Sequence, residues 1–141
     1  MEHQGFIKAC RWIMSMVVMC MLGLFLNGGQ AKAAVTCGLF TVDGTAGDYS
    51  YNESTGELTV KNTNPITISG NVAFTQKGFI KIESTSANIT FNSLTIYRCI
   101  ANQTTEDPAV VISDSCTGTV NIIISGTNSL VGNGAPAIQK N

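Results

Sequence analysis

The chain has 141 residues, eight lysines and arginines against nine aspartates and glutamates, and a formal charge of −1. That length holds one domain, and the charge balance leaves no basic footprint for nucleic acid or for an anionic membrane surface. The one histidine, His3, and the one tryptophan, Trp12, both fall near the N-terminus.

The first element in chain order is a leader. Lys8 and Arg11 precede an apolar run from Trp12 to Leu26, and Ala31-Lys32-Ala33 gives the small-x-small pattern of a signal peptidase site. Residues 1–33 are therefore read as a secretory signal peptide, cut between Ala33 and Ala34. The run is shorter than the ~20 residues a membrane span needs, so contact with a membrane is expected only through this segment before cleavage. The alternative is a retained anchor. Without the leader no histidine remains, which excludes histidine triads and histidine–metal sites. The part from Ala34 onward carries five basic and eight acidic residues. The expected location is secreted or cell-surface.

Three cysteines remain after Ala33, namely Cys37, Cys99 and Cys116. An odd count does not complete a disulfide framework. Cys99 and Cys116 either meet across neighbouring layers or serve as small buried hydrophobes.

The pattern from Cys37 onward is one of short strands and turns. Cys37 to Val42 alternates as an opening strand, Asp43 to Asp48 is a loop, and Tyr49 to Asn52 is extended. Leu58-Thr59-Val60 and Ile66 to Gly70 are strands flanking the break at Pro65, and Val72-Ala73-Phe74 is a shorter one. From Lys77 the features repeat. Phe79 to Ile82, a polar hinge, and Ile89 to Ile96 are answered about thirty residues later by Ala109 to Ile112, Ser113 to Thr119, and Val120 to Ile124. A third copy opens at Ala135-Pro136-Ala137-Ile138. No stretch holds a long helical period, and Thr, Ser, Asn, Ile and Val favour strands and turns.

A period of this size made of short strands is the signature of a solenoid, and the expected fold is all-β: a single-stranded parallel β-helix over residues 34–141, cut off part-way through a coil at the C-terminus. Ile80, Ile82, Ile89, Phe91, Leu94, Ile96, Val110, Ile112, Ile122, Ile124 and Leu130 are expected in its core, with Phe40 and Phe79 on the inward phase as well. Asn88 is expected to stack on Asn121 at a corner. An uncapped last coil would present open strand edges.

The succession FTVDGTAGDYSYNESTGELTV, PITISG, IKIESTSANITFNSLTIY, PAVVISDSCTGTVNIIISGTNSLVG and APAIQK resembles the secreted carbohydrate-binding domain of clostridia and their relatives. The resemblance runs from Phe40 to the end. It implies a right-handed parallel β-helix similar in fold to pectate lyases, binding to plant cell-wall polysaccharides such as cellulose and pectic acids, bound calcium, and no catalysis. Repeat signatures of this kind specify a coil better than a ligand, and fold alone does not establish function.

The residues themselves nominate two sites. For sugar stacking the aromatic candidates are Tyr49, Tyr51 and Tyr97. Tyr49 and Tyr51 share one strand face, which suits either a stacking platform or a cover over the first coil. A side lined with Thr, Ser and Asn is itself an array able to match a polymer. For calcium, which takes six to eight oxygen ligands, the densest acidic group is Glu106 and Asp107 with Asp114; a solvated acidic loop is the alternative. Asp43 and Asp48 form a second acidic group. A lyase would need a basic residue beside a uronate, and only Lys81 and Arg98 lie inside the clear repeats. The reading is thus a non-catalytic polysaccharide-binding domain, with calcium as the candidate cofactor, a surface adhesin or stalk as the second reading and a truncated polysaccharide lyase as the third.

Overall fold

The computed structural model describes residues 33–74, 76–98 and 107–141. The signal peptide, Cys99 and Glu106 lie outside the described residues. Eleven strands follow one another: β1 (Val35–Cys37), β2 (Phe40–Asp43), β3 (Tyr49–Asn52), β4 (Glu57–Val60), β5 (Ile66–Val72), β6 (Phe79–Ile82), β7 (Ala87–Tyr97), β8 (Val110–Ile112), β9 (Val120–Ser125), β10 (Ser129–Val131) and β11 (Ile138–Lys140). They build two sheets. The larger runs β1-β2-β5-β7-β10, with β9 also paired to β7; the smaller runs β11-β8-β6-β4-β3.

The first third of the fold is made by hairpins. Gly38, at φ +58, opens the two-residue loop that returns β1 along β2, the place glycine takes in a II′ turn. In the loop between β3 and β4 the Asn52 side chain accepts from the Ser54 amide at 3.0 Å, and the Gly56 amide donates to the Asn52 carbonyl at 2.8 Å. Gly56 completes that turn at φ +72. The pairs β1–β2, β2–β5 and β3–β4 are all antiparallel.

From β4 onward the pairing is parallel. In the smaller sheet β4, β6, β8 and β11 lie side by side, so that Leu58, Ile80, Val110 and Ile138 fall in one row. In the larger sheet β7 lies between β5 and β9: Ile66, Ile89 and Ile122 form one row, and Ile68, Phe91 and Ile124 the next. The second half of β7 carries β10, with Leu130 beside Ile96.

The expectation of a right-handed single-stranded parallel β-helix is therefore corrected. The described residues are all-β with two mixed sheets, and among them no closed solenoid is seen. Two- and four-residue loops only turn a chain back on its neighbour, whereas a parallel neighbour needs a crossover of a dozen or more residues. Short loops make the β1–β2 and β3–β4 hairpins, β2 also lies antiparallel to the distant β5, and the later strands form parallel rows. Within those rows the local stacking follows the period: Ile89 pairs with Ile122, and Asn88 with Asn121.

The core lies between the sheets. Phe40, Val42, Ile68, Ile89, Phe91, Leu94 and Ile96 of the larger sheet and Leu58, Val60, Ile80, Ile82 and Val110 of the smaller are buried. Each such side chain contributes about 1.5–3 kcal/mol on leaving water. Two expected core residues depart from this. Phe79 precedes the buried Ile80 and so faces outward, where the Arg98 guanidinium lies over its ring at 4.6 Å from the centroid. Ile124 is on the inward phase yet 59% exposed, because β9 is paired on one edge alone. Ile112, Ile122 and Leu130 pack against the core from partly buried positions.

β7 bends at its middle. Ser69 alone stands opposite both Asn92 and Ser93, and Ser93 takes φ +53, a bulge that turns the strand. The Leu94 amide, displaced from the ladder, donates instead to Oδ1 of Asn128 at 2.8 Å. The Asn128 amide nitrogen in turn donates to the Ser125 carbonyl at 2.8 Å. One side chain thus meets the backbone on both levels of the bend, as a buried polar group requires.

Candidate functional site

Alternation along the strands of the larger sheet sends Ile and Phe inward and short polar residues outward. Because the strands are in register, the outward residues form columns. Asp43, Thr67 and Thr90 stand in one, continued on β9 by Ile123. Asn71, Thr95 and Ser129 stand in another, and Thr36, Thr41 and Ser69 in a third. Columns on one strand recur about every 6.7 Å and neighbouring rows about every 4.8 Å. The face is therefore a grid mainly of hydroxyls and amides, each able to donate and to accept, bent at the Ser93 bulge and ended on β9 by the exposed Ile123. Asp43 is the one charged residue in these columns.

The edge of the grid is aromatic. Tyr97 closes β7 and is 37% exposed; Phe74, two residues beyond β5, is 50% exposed. Val72 pairs with Ile96, so both rings leave the sheet at the same corner. The Ser129 hydroxyl donates to the Tyr97 oxygen at 3.4 Å, tying the ring to the column beside it. At the opposite margin Asn88 donates to the Thr63 carbonyl at 3.2 Å, and Asn121 donates to the Asn88 side-chain oxygen at 2.9 Å. That ladder matches the expected stacking of the two asparagines.

The predicted sites are distributed as follows. Tyr97 belongs to this grid. Tyr49 and Tyr51 lie on β3, at the edge of the other sheet, and pack against the core. Tyr51 meets Phe40 edge to face with ring centroids 6.3 Å apart, and a Cβ on Gly38 would collide with its phenol. Tyr49 shares a side-chain hydrogen bond with Cys37. Burial is the main cause that pushes both groups above their ordinary ionisation range, and for Tyr49 the neighbouring thiol adds to it. These two rings cover the first layer and do not join Tyr97.

Of the expected acidic set, the described members Asp107 and Asp114 do not converge. Asp107 faces Arg98, whose Nη2 lies 3.4 Å from its Oδ1, and its backbone bridges to Asn133. Asp114 is exposed in the turn beyond β8, so the whole strand stands between the two carboxylates. Calcium needs its oxygens at about 2.3–2.6 Å from one centre, and Asp107 and Asp114 do not supply that. Among the described residues no group of three or more His, Cys, Asp or Glu side chains is placed to hold a metal ion. Of the second acidic group, Asp48 is 3% exposed and accepts from Asn62 at 2.9 Å and from Asn64 at 3.2 Å. It is a structural anchor for the loop before β5.

Lys81 faces outward on the smaller sheet and pairs with Glu83. That hydrogen bond is the main reason its ammonium is held above the usual range, so it is poorly suited to act as a base. Cys116 is a buried free thiol whose Sγ lies 3.6 Å from the Thr85 carbonyl.

Sequence reasoning named no hydroxyl of the grid, although a Thr/Ser/Asn-lined side was expected. The signal was present in the alternate positions of Ile66–Val72 and Ala87–Tyr97. Phe74 was not placed, because it follows the last paired residue of β5.

No family model matches the chain, and no curated protein or solved structure matches it either.

Proposed function

We propose that this chain is an exported, non-catalytic carbohydrate-binding domain that takes an extended polysaccharide of the plant cell-wall type across the outer face of its larger sheet. The observation that carries the reading is the grid itself: the columns Asp43–Thr67–Thr90 and Asn71–Thr95–Ser129, in register and bordered by the exposed rings of Tyr97 and Phe74. A polymer that repeats its hydroxyls along a line is met by a surface that repeats its own. The sugar's apolar face has Tyr97 and Phe74 to lie against. The resemblance of Phe40 to the C-terminus to secreted clostridial carbohydrate-binding domains points the same way. Asp107 and Asp114 stand beyond opposite ends of β8 and do not share one ion, so any part for calcium is left to the chelator arm of the test.

The test is retention of the purified chain on insoluble cellulose and on polygalacturonate, each with and without chelator. Retention on at least one polymer is expected, and its loss with chelator would bring calcium into the reading. Tyr97→Ala together with Phe74→Ala should lower retention by about five-fold or more, at about 1–3 kcal/mol for lost ring contacts. Retention on neither polymer would transfer the reading to a surface adhesin or stalk. Release of unsaturated uronides, followed by ultraviolet absorbance, would make it a lyase.

A further inference from the structure

The outer face of the larger sheet has a charge pattern as well as a spacing. Asp43 ends β2 in an exposed position, one row from Thr67 and two from Thr90, and forms no ion pair among the described residues. Rows about 4.8 Å apart put it within about 10 Å of both, the reach of an exposed charge at about 0.1 M salt. No cation on this face answers it. From Ala34 onward the basic residues are Lys61, Lys77, Lys81, Arg98 and Lys140, and each stands with the smaller sheet. Lys61 follows β4, where its amide donates to the Asp48 carbonyl at 2.7 Å. Lys77 precedes β6, and its backbone lies against Gly56. Lys81 pairs with Glu83, and Lys140 on β11 donates to the Cys116 carbonyl at 2.7 Å. The Arg98 guanidinium lies over the Phe79 ring of β6 with Asp107 beside it.

We infer that the grid selects a neutral polysaccharide over a uronan, and that Asp43 is the residue that sets this selection. The inference rests on the proposed function and narrows its substrate class. The hydroxyls of a neutral sugar both donate and accept, as do the Thr, Ser and Asn side chains that would meet them. A uronan adds a carboxylate to every sugar unit. Laid across the grid, those carboxylates would leave water with no opposite charge to receive them. Where they pass β2 they would also meet Asp43, and like charges set side by side reject a partner strongly. The excess of acidic over basic residues from Ala34 onward gives a field of the same sign at longer range.

Depletion of the purified chain from solution by cellulose, by cellulose carboxylated at C6 and by polygalacturonate tests this. Chelator is present throughout, so that no calcium bridges two carboxylates. In about 10 mM salt cellulose should bind about tenfold more tightly than either charged polymer. The gap should narrow in about 1 M salt, where the screening length falls from ~30 Å to ~3 Å. Asp43→Asn should narrow the low-salt gap several-fold, and Asp43→Ser should do the same with a side chain of another shape. Glu53→Gln removes an equal charge from the exposed β3–β4 turn and should leave the gap as it is. Carboxylated cellulose or polygalacturonate bound as tightly as cellulose, or an Asp43→Asn gap as wide as that of the wild type, would overturn the inference while the proposed function stands. Binding to none of the three would overturn the proposed function and this inference with it.

Discussion

Asn128 carries more of the fold than its surface position implies. Its Oδ1 takes the Leu94 amide that the bulge removes from the ladder, and its nitrogen donates to the Ser125 and Gly126 carbonyls. Asn128→Ala leaves the Leu94 amide without that partner and should cost about 1–3 kcal/mol. Asn128→Asp keeps the acceptor and should recover part of the loss. Urea unfolding of the two variants measures the difference. A second residue-scale test is pH. The Cys37 thiol and the Tyr49 phenol both ionise later in the folded chain than their ordinary values of 9.0 and 10.0. A raised value means that the unfolded chain releases these protons first. Their contribution is full below pH 9 and lost as pH rises through the folded values. Stability should hold flat through neutrality and fall above about pH 9. Cys37→Ser with Tyr49→Phe should flatten that fall, as read from urea midpoints at neutral and alkaline pH.

Among the elements, the hairpins decide the direction of the early strands. Gly56 sits at φ +72, and a Cβ there would strike the Lys77 backbone. Gly56→Ala should destabilise by about 2 kcal/mol or more, since strain at positive φ adds to a clash with main chain; thermal unfolding reads it. Most strand positions and the rows of β7 and β9 were legible in the sequence, because alternation and a thirty-residue recurrence are local signals; the opening run Cys37 to Val42 was not, being two strands turned at Gly38, and Val72 to Phe74 is no separate strand. Strand direction was not. Whether Thr41 lies beside Ser69 antiparallel or parallel depends on a partner 28 residues away, and glycine turns alone do not name that partner. Phe79 was misread for a different reason. A large apolar ring suits either face of a strand, and here the Arg98 side chain shields it on the outside.

For the whole molecule, two sheets share one core and divide the surface in two. The larger sheet shows a nearly neutral hydroxyl grid, while the smaller shows Glu57, Lys81 and Gln139 among its outward residues. Part of the candidate site was legible: Tyr97, and a face rich in Thr, Ser and Asn. The placing of Tyr97 and Phe74 at one end of the sheet was not, because it depends on the pairing of Val72 with Ile96. Nor was the separation of Asp107 from Asp114, which follows from β8 running between them. Thr90→Lys places a charge in the middle of the grid without touching the core. It should lower polysaccharide retention about tenfold, a change of ~1.4 kcal/mol, while Gln139→Lys on the other sheet leaves retention unchanged. The most direct measurement is backbone amide chemical-shift perturbation with a soluble cello- or galacturono-oligosaccharide. The account predicts that shifts concentrate at Thr67, Thr90, Thr95, Tyr97 and Ser129 and leave Ser50, Thr59 and Lys81 in place. Shifts gathered on the smaller sheet, or none at saturating sugar, would contradict it.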